Sequence, residues 1–255
     1  MKKIPFVVLI LTCLFGYLKA QTIDQLLQEA KTLRTQFKEE EALQKYLEVL
    51  KKDQLQYDAL CGASFMYCRI GNRTLDEAKK KEYFNGAKRL AEYAVKIKPN
   101  DAESNFVMAA AVGRAAEYLS TKERVASSTT IKKHAEAALA ANPNHPGANH
   151  VMGMWHYRVA NLSWAERSAA NIIFGGIPKG ASNENAVKYI SKAISLRPDY
   201  ILYVHDLGLV YKAMEKYSDA ISTFKKAVNM KSLTKDDPYL KEHSQNMIED
   251  CEALE

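Results

Sequence analysis

Three arginines stand out by their spacing. Arg69, Arg114 and Arg158 each lie five residues after a small residue, namely Ser64, Ala109 and Gly153. Arg34 and Lys212 occupy the place one residue earlier relative to Ala30 and Gly208. A guanidinium gives two parallel hydrogen bonds to one carboxylate or phosphate, and an ammonium cannot reproduce that fork. At helical spacing from the same small residues lie Phe65, Phe106, Met154, Tyr157 and Leu209. A basic row with apolar neighbours suits an amphipathic or extended anion. The alternative is structural: each arginine pairs with a glutamate on an adjacent helix or is solvated. We take Arg34, Phe65, Arg69, Phe106, Arg114, Met154, Tyr157, Arg158, Leu209 and Lys212 as the candidate ligand-binding row.

Other chemistry is poorly supplied. His145, His150 and His156 are spaced by five and six residues, which does not place them on one helical face, so no metal site is expected. The run Gly175-Gly176-Ile177-Pro178-Lys179-Gly180 lacks the Gly-Lys-Ser/Thr ending of a phosphate loop. No Gly-x-Ser-x-Gly or Cys-x-x-Cys occurs. With no nucleophile, base or metal constellation, neither catalysis nor a cofactor is expected.

The elements that must carry the basic row repeat along the chain. Pro99, Pro143 and Pro198 are each followed ten residues later by a small residue: Ala109, Gly153 and Gly208. Five residues before each proline stands an alanine: Ala94, Ala138 and Ala193. Between Asp199 and Met230, Leu207, Gly208 and Tyr211 sit in one helical run and Ala220, Phe224 and Ala227 in the next. Small residues where two helices cross, with an aromatic between, make the tetratricopeptide (TPR) pattern, a helix pair of about 34 residues.

From the small column to the alanine column the spacing is twelve for Ala30–Ala42 and Gly208–Ala220. It stretches to 23 for Ser64–Ala87, 22 for Ala109–Ile131 and 33 for Gly153–Ala186. The spacing predicts an all-α, TPR-like solenoid of about five helix pairs over residues 21–232. The middle repeats carry insertions between helices A and B. The second and third gain longer helices, and the fourth gains an extra helix with its Gly-rich loop. Asp236-Asp237-Pro238 starts a capping helix within 233–255, with Leu240, Met247, Ile248, Cys251 and Leu254 on one face. Trp155 and Trp164 are expected in the core, as large aromatics at helical spacing usually are. Ile172, Ile173, Phe174 and Ile177 are expected to cover the groove's core or to form a lid.

Composition agrees with a packed helical chain. Of 255 residues 47% are apolar and 26% charged, with only 11 Gly and 7 Pro. Residues 1–20 combine Lys2 and Lys3, an apolar stretch from Ile4 to Leu18, and Ala20 before Gln21. That is the layout of a secretory signal peptide and predicts a periplasmic or secreted protein with no transmembrane segment after cleavage. Loss of Lys2, Lys3 and Lys19 lowers the net charge from +6 to +3, too little to demand nucleic acid as partner. Cys61 and Cys68 would lie about 10 Å apart on one helix, too far for a disulfide.

From Gly153 to Trp164 the chain reads Gly-Met-Trp-His-Tyr-Arg-Val-Ala-Asn-Leu-Ser-Trp. This resembles the TPR domain of the regulator-of-microtubule-dynamics family, at Gly153, Trp155, Tyr157, Leu162, Ser163 and Trp164. The resemblance implies an all-helical adaptor without a catalytic site. Some members of that family look like membrane-contact proteins whose repeat domain handles phospholipid. An export signal departs from the microtubule theme. The expected function is thus an exported, non-catalytic adaptor that holds a protein or peptide, anionic by the basic row, in its concave groove. The alternative is a lipid or amphiphile carrier using the same Arg-lined groove.

Overall fold

A computed structural model describes residues 21–174 and 180–255. The signal-peptide reading of 1–20 and the loop residues 175–179 lie outside them. The described residues form α-helices throughout, and no strand occurs among them. The helices are α1 (Ile23–Thr35), α2 (Glu39–Lys52), α3 (Tyr57–Arg73), α4 (Glu77–Ile97), α5 (Ala102–Ala115), α6 (Thr121–Ala141), α7 (Pro146–Ala160), α8 (Trp164–Phe174), α9 (Asn183–Leu196), α10 (Ile201–Ala213), α11 (Tyr217–Asn229) and α12 (Asp237–Glu252). A 3₁₀ turn, Ala116–Tyr118, extends α5.

Five hairpins stack in order: α1 on α2, α3 on α4, α5 on α6, α7 on α9, and α10 on α11. The expected solenoid with its insertions is what the chain builds. The second and third repeats have 21-residue B helices. In the fourth, α8 intervenes between A and B and packs on α6 of the repeat before. α12 lies against α11 and α10.

The small columns set the hairpin register. A Cβ placed on Gly208 would stand 2.5 Å from the Phe224 ring. One placed on Gly153 would stand 2.5 Å from Ile190 Cγ1 and 3.2 Å from the Ala186 carbonyl. Ser64 Oγ donates to the Ala87 carbonyl at 2.8 Å. The 33- and 23-residue spacings thus close on the same contact as the 12-residue ones. The cores between helices are built from these fully buried alanines and one large side chain per repeat, such as Tyr46, Phe84, Ile190 or Phe224.

The two plain repeats share one A–B turn. Phe37 and Glu215, both with φ near +58°, end α1 and α10. Lys38 N–H donates to the Leu33 carbonyl and Lys216 N–H to the Tyr211 carbonyl, each at 3.0 Å. This is the left-handed helix stop with its six-to-one hydrogen bond. The B–A links use proline instead. Lys98, Asn142 and Arg197 leave the helical region, with ψ of 82°, 95° and 78°, and a following proline disfavours helical backbone there. Asn105 and Asn149 then donate back to the Pro99 and Pro143 carbonyls at 2.7 and 3.0 Å.

Two expectations of burial fail. Trp155 is buried, and its indole N–H donates to the Ser128 carbonyl at 2.9 Å. Trp164, at the start of α8, is 83% exposed. The inserted helix is held instead through Ala170, fully buried, and the Arg124–Glu166 ion pair at 3.0 Å. Ile172 is also exposed, so it covers no core.

Candidate inner-face site

The A helices α1, α3, α5, α7 and α10 carry the basic row, and the structure sorts its members into three groups. At the first end, the Arg34 guanidinium sits over the Phe65 ring at 4.9 Å and pairs with Glu103 at 3.4 Å. Phe65 packs on buried Phe106 at 5.5 Å between ring centres. Phe106 lies against the His145 ring, and His145 Nε2 meets Glu103 at 3.0 Å. Burial pushes the Glu103 carboxyl up, but His145 and Arg34 hold it below its ordinary value. This group is internally satisfied.

Arg69 is the second group. It is buried, with Glu39 at 3.0 Å and Asp236 at 3.0 Å. Its guanidinium also donates to the Tyr200 hydroxyl. Both oxyanions that its fork can hold are already present.

The third group is different. Arg114 Nη1 lies 3.0 Å from Glu117, and Arg158 Nη2 lies 4.0 Å from the same carboxylate oxygen. The Arg158 side chain remains 52% exposed. Two guanidinium groups therefore share one carboxylate. Tyr157 and Met154 lie beside them, half-buried, on the cluster of Ile190, Leu207 and Val210. Leu209 joins the next cluster, around Phe224 and Ile248. Lys212 pairs with Asp250 at 2.8 Å. The neighbouring acid, Asp206, is taken by His150 at 2.6 Å. Burial would raise the Asp206 carboxyl, but that hydrogen bond and nearby positive charges keep it low. Glu117 thus carries both guanidinium groups, and only Arg158 keeps a large share of its side chain in solvent.

The structure disperses the histidines. His145 faces Glu103, His150 faces Asp206, and His156 stacks on Tyr189. No group of three His, Cys, Asp or Glu side chains able to hold a metal occurs among the described residues. Cys61 and Cys68 are buried and free, and burial pushes both thiols up to about 12, which leaves them unreactive at neutral pH. Among the described residues two concavities stand out, both open to solvent. One runs along α1 from Gln21 to Leu33. The other lies by the α10–α11 turn, from Glu215 to Asp219, with Leu254 and Glu255.

Sequence reasoning missed the acids that partner the row. Glu39, Glu103 and Asp236 belong to no repeated column, so spacing gave no signal for them. The paired Asn105 and Asn149, each six residues after a proline, were a visible signal.

Stacked antiparallel helix pairs with a side-chain row along their A helices define a TPR-type solenoid. A family model described as regulator of microtubule dynamics protein 1-3 matches residues 21–252, and the chain belongs to that family. The rat regulator of microtubule dynamics protein 3 is 27% identical over 225 residues, covering 85% of this chain and 46% of the relative. The human regulator of microtubule dynamics protein 2 is 27% identical over 172 residues, covering 67% and 42%. The chain spans less than half the length of these relatives. Among solved structures, a thermophilic TPR protein of Thermus thermophilus superposes with a TM-score of 0.62 at 14% identity, covering 89% of this chain and 99% of that one. This likeness concerns the fold alone. The resemblance read from Gly153 to Trp164 is borne out.

Proposed function

We propose that the chain is an exported, non-catalytic adaptor that binds an acidic segment of a protein or peptide on its inner face, at Arg114, Tyr157 and Arg158. The observation that carries this is the shared carboxylate. Two guanidinium groups lean on the single Glu117 oxygen, and one of them stays half in solvent. An incoming carboxylate would complete Arg158 without displacing a structural ion pair. Tyr157 and Met154 offer apolar contact beside it, which an extended peptide can use through alternate side chains. The amphiphile-carrier reading has less support, because both concavities are open to solvent and neither encloses a ligand-sized cavity. Export rests on residues 1–20 alone. N-terminal sequencing of the protein recovered from a periplasmic or secreted fraction is expected to begin at Gln21, and Met1 on a cytoplasmic protein contradicts export.

The binding test uses a fluorescent dodecapeptide of alternating Glu and Leu, titrated by anisotropy at low salt. Arg114→Lys with Arg158→Lys is expected to fold normally and bind more weakly. The corresponding double alanine variant is expected to bind weaker still, with little salt dependence left. Equal affinity in all three proteins removes the reading. Mass spectrometry of an organic extract of the pure protein addresses the carrier: a stoichiometric lipid would favour it.

A further inference from the structure

The solenoid turns back on itself. Phe37, at the first A–B turn, packs with Ala193, Tyr200 and Tyr203, and the Arg197 guanidinium lies over the Phe37 and Tyr200 rings. Arg69, near the end of α3, reaches Tyr200 at the start of α10, 131 residues away. Both Arg69 and Arg73 reach Asp236 in the link before α12, at 3.0 and 3.7 Å. At the rim, Lys235 meets Glu40, 195 residues away, at 2.7 Å.

The composition of this closure is unlike that of the repeat interfaces. Those rest chiefly on buried alanines and large apolar side chains. Here three cations, Arg69, Arg73 and Lys235, face three anions, Glu39, Glu40 and Asp236. No helix of the first two repeats packs closely against α10, α11 or α12, so long side chains carry most of the contact. The cluster is not fully satisfied either: Asp236 Oδ1 is buried without a hydrogen-bond partner. The link itself is well fixed, because Asp237 accepts from the Leu233 and Thr234 N–H groups and from the Thr234 hydroxyl at 2.7 to 2.8 Å. A rigid link presenting Asp236 to two arginines is a clasp. Buried ion pairs contribute little net stability but are costly when one partner is lost.

We propose that this ion cluster is a separable clasp between the first two repeats and the α10–α12 end. The repeats hold themselves together by apolar packing, so the closure opens without unfolding them. Asp236 also fills the arginine of the second repeat that a longer anionic ligand would otherwise meet. The clasp does not depend on what the inner face binds.

Hydrogen exchange by mass spectrometry and the radius of gyration from solution scattering test this. Glu39→Gln with Asp236→Asn keeps side-chain volume, leaves Arg69 without either of its anions and leaves Arg73 with Glu40 alone. The expected result is loss of protection in 37–40, 197–203 and 233–237, an increased radius of gyration, and unchanged protection in α5 and α7. Loss of protection in all helices together, or in none, overturns a separable clasp. If that variant does not fold, the rim decides. Lys235→Met alone is expected to speed exchange in 233–237 roughly two- to fivefold, as loss of an exposed ion pair does, and Lys235→Arg, which keeps the charge, is expected to leave it at the parent rate. Equal exchange in both rim variants and the parent protein overturns the proposal. Lys225→Met, which removes the distant pair with Glu252, controls for loss of one charge.

Discussion

At the scale of the residue, the two tryptophans make opposite commitments. Trp155 is enclosed and hydrogen-bonded; Trp164 stands in solvent. Trp155→Ala is expected to lower stability by about 3–5 kcal/mol, as large-to-small core changes do. Trp164→Ala is expected to change it by less than about 0.5 kcal/mol. Denaturant unfolding of both variants checks this, and native fluorescence adds a second reading. The emission left in Trp155→Ala should be red-shifted and readily quenched, and that left in Trp164→Ala should be neither. Gly208 is the complementary case. Even Gly208→Ala should cost about 1–3 kcal/mol, because its Cβ would enter the Phe224 ring. An unchanged denaturation midpoint would put the columns out of register. The sequence made Gly208 legible because only a glycine admits an aromatic so close. It misled at Trp164 because helical spacing says which residues share a face, not whether that face meets protein. The face of α8 is set by α6, an element of another repeat.

At the scale of the element, the helix pairs were readable and their electrostatic ties were not. The small residues, the prolines and the alanine columns fixed the five hairpins and the inserted helix. Nothing local marks His134, in α6, as the partner of Asn105, in α5, or His205, in α10, as the partner of Ser244, in α12. Burial lowers His134, His156 and His205 below the usual histidine value. These groups are neutral in the folded chain and take up protons on unfolding. Their contribution is therefore fully present above the unfolded histidine value, about pH 6.5, and is lost as pH falls through the folded values. Unfolding midpoints are expected to drop between pH 7 and 5, and His134→Gln with His205→Gln should flatten that drop. A midpoint independent of pH across the window contradicts the assignment. The A–B turns offer an opposite sign. Glu215 is exposed and left-handed, so Glu215→Gly should stabilise by up to about 1 kcal/mol. A loss of stability would mean that the Glu215 side chain holds the turn.

At the scale of the whole molecule, the sequence foretold a row of arginines along the A helices, and the structure divides that row. Arg34 and Arg69 are committed to Glu103, Glu39 and Asp236, which come from other repeats and from the C-terminal link. Contacts over such separations leave no mark in a single sequence. Arg114 and Arg158 share one carboxylate and keep room for another. The solenoid therefore has a basic, half-apolar stretch between its third and fourth repeats, bounded by internally satisfied ends. The central claim is that this stretch is where an acidic partner lies. The most direct measurement is the hydrogen-exchange footprint of the Glu-Leu dodecapeptide on the intact protein. The account predicts slowed exchange near the C-terminal halves of α5 and α7, with α4, α6 and α9 unaffected. Protection confined to the outer B helices, or along the outer face of α1, would contradict it.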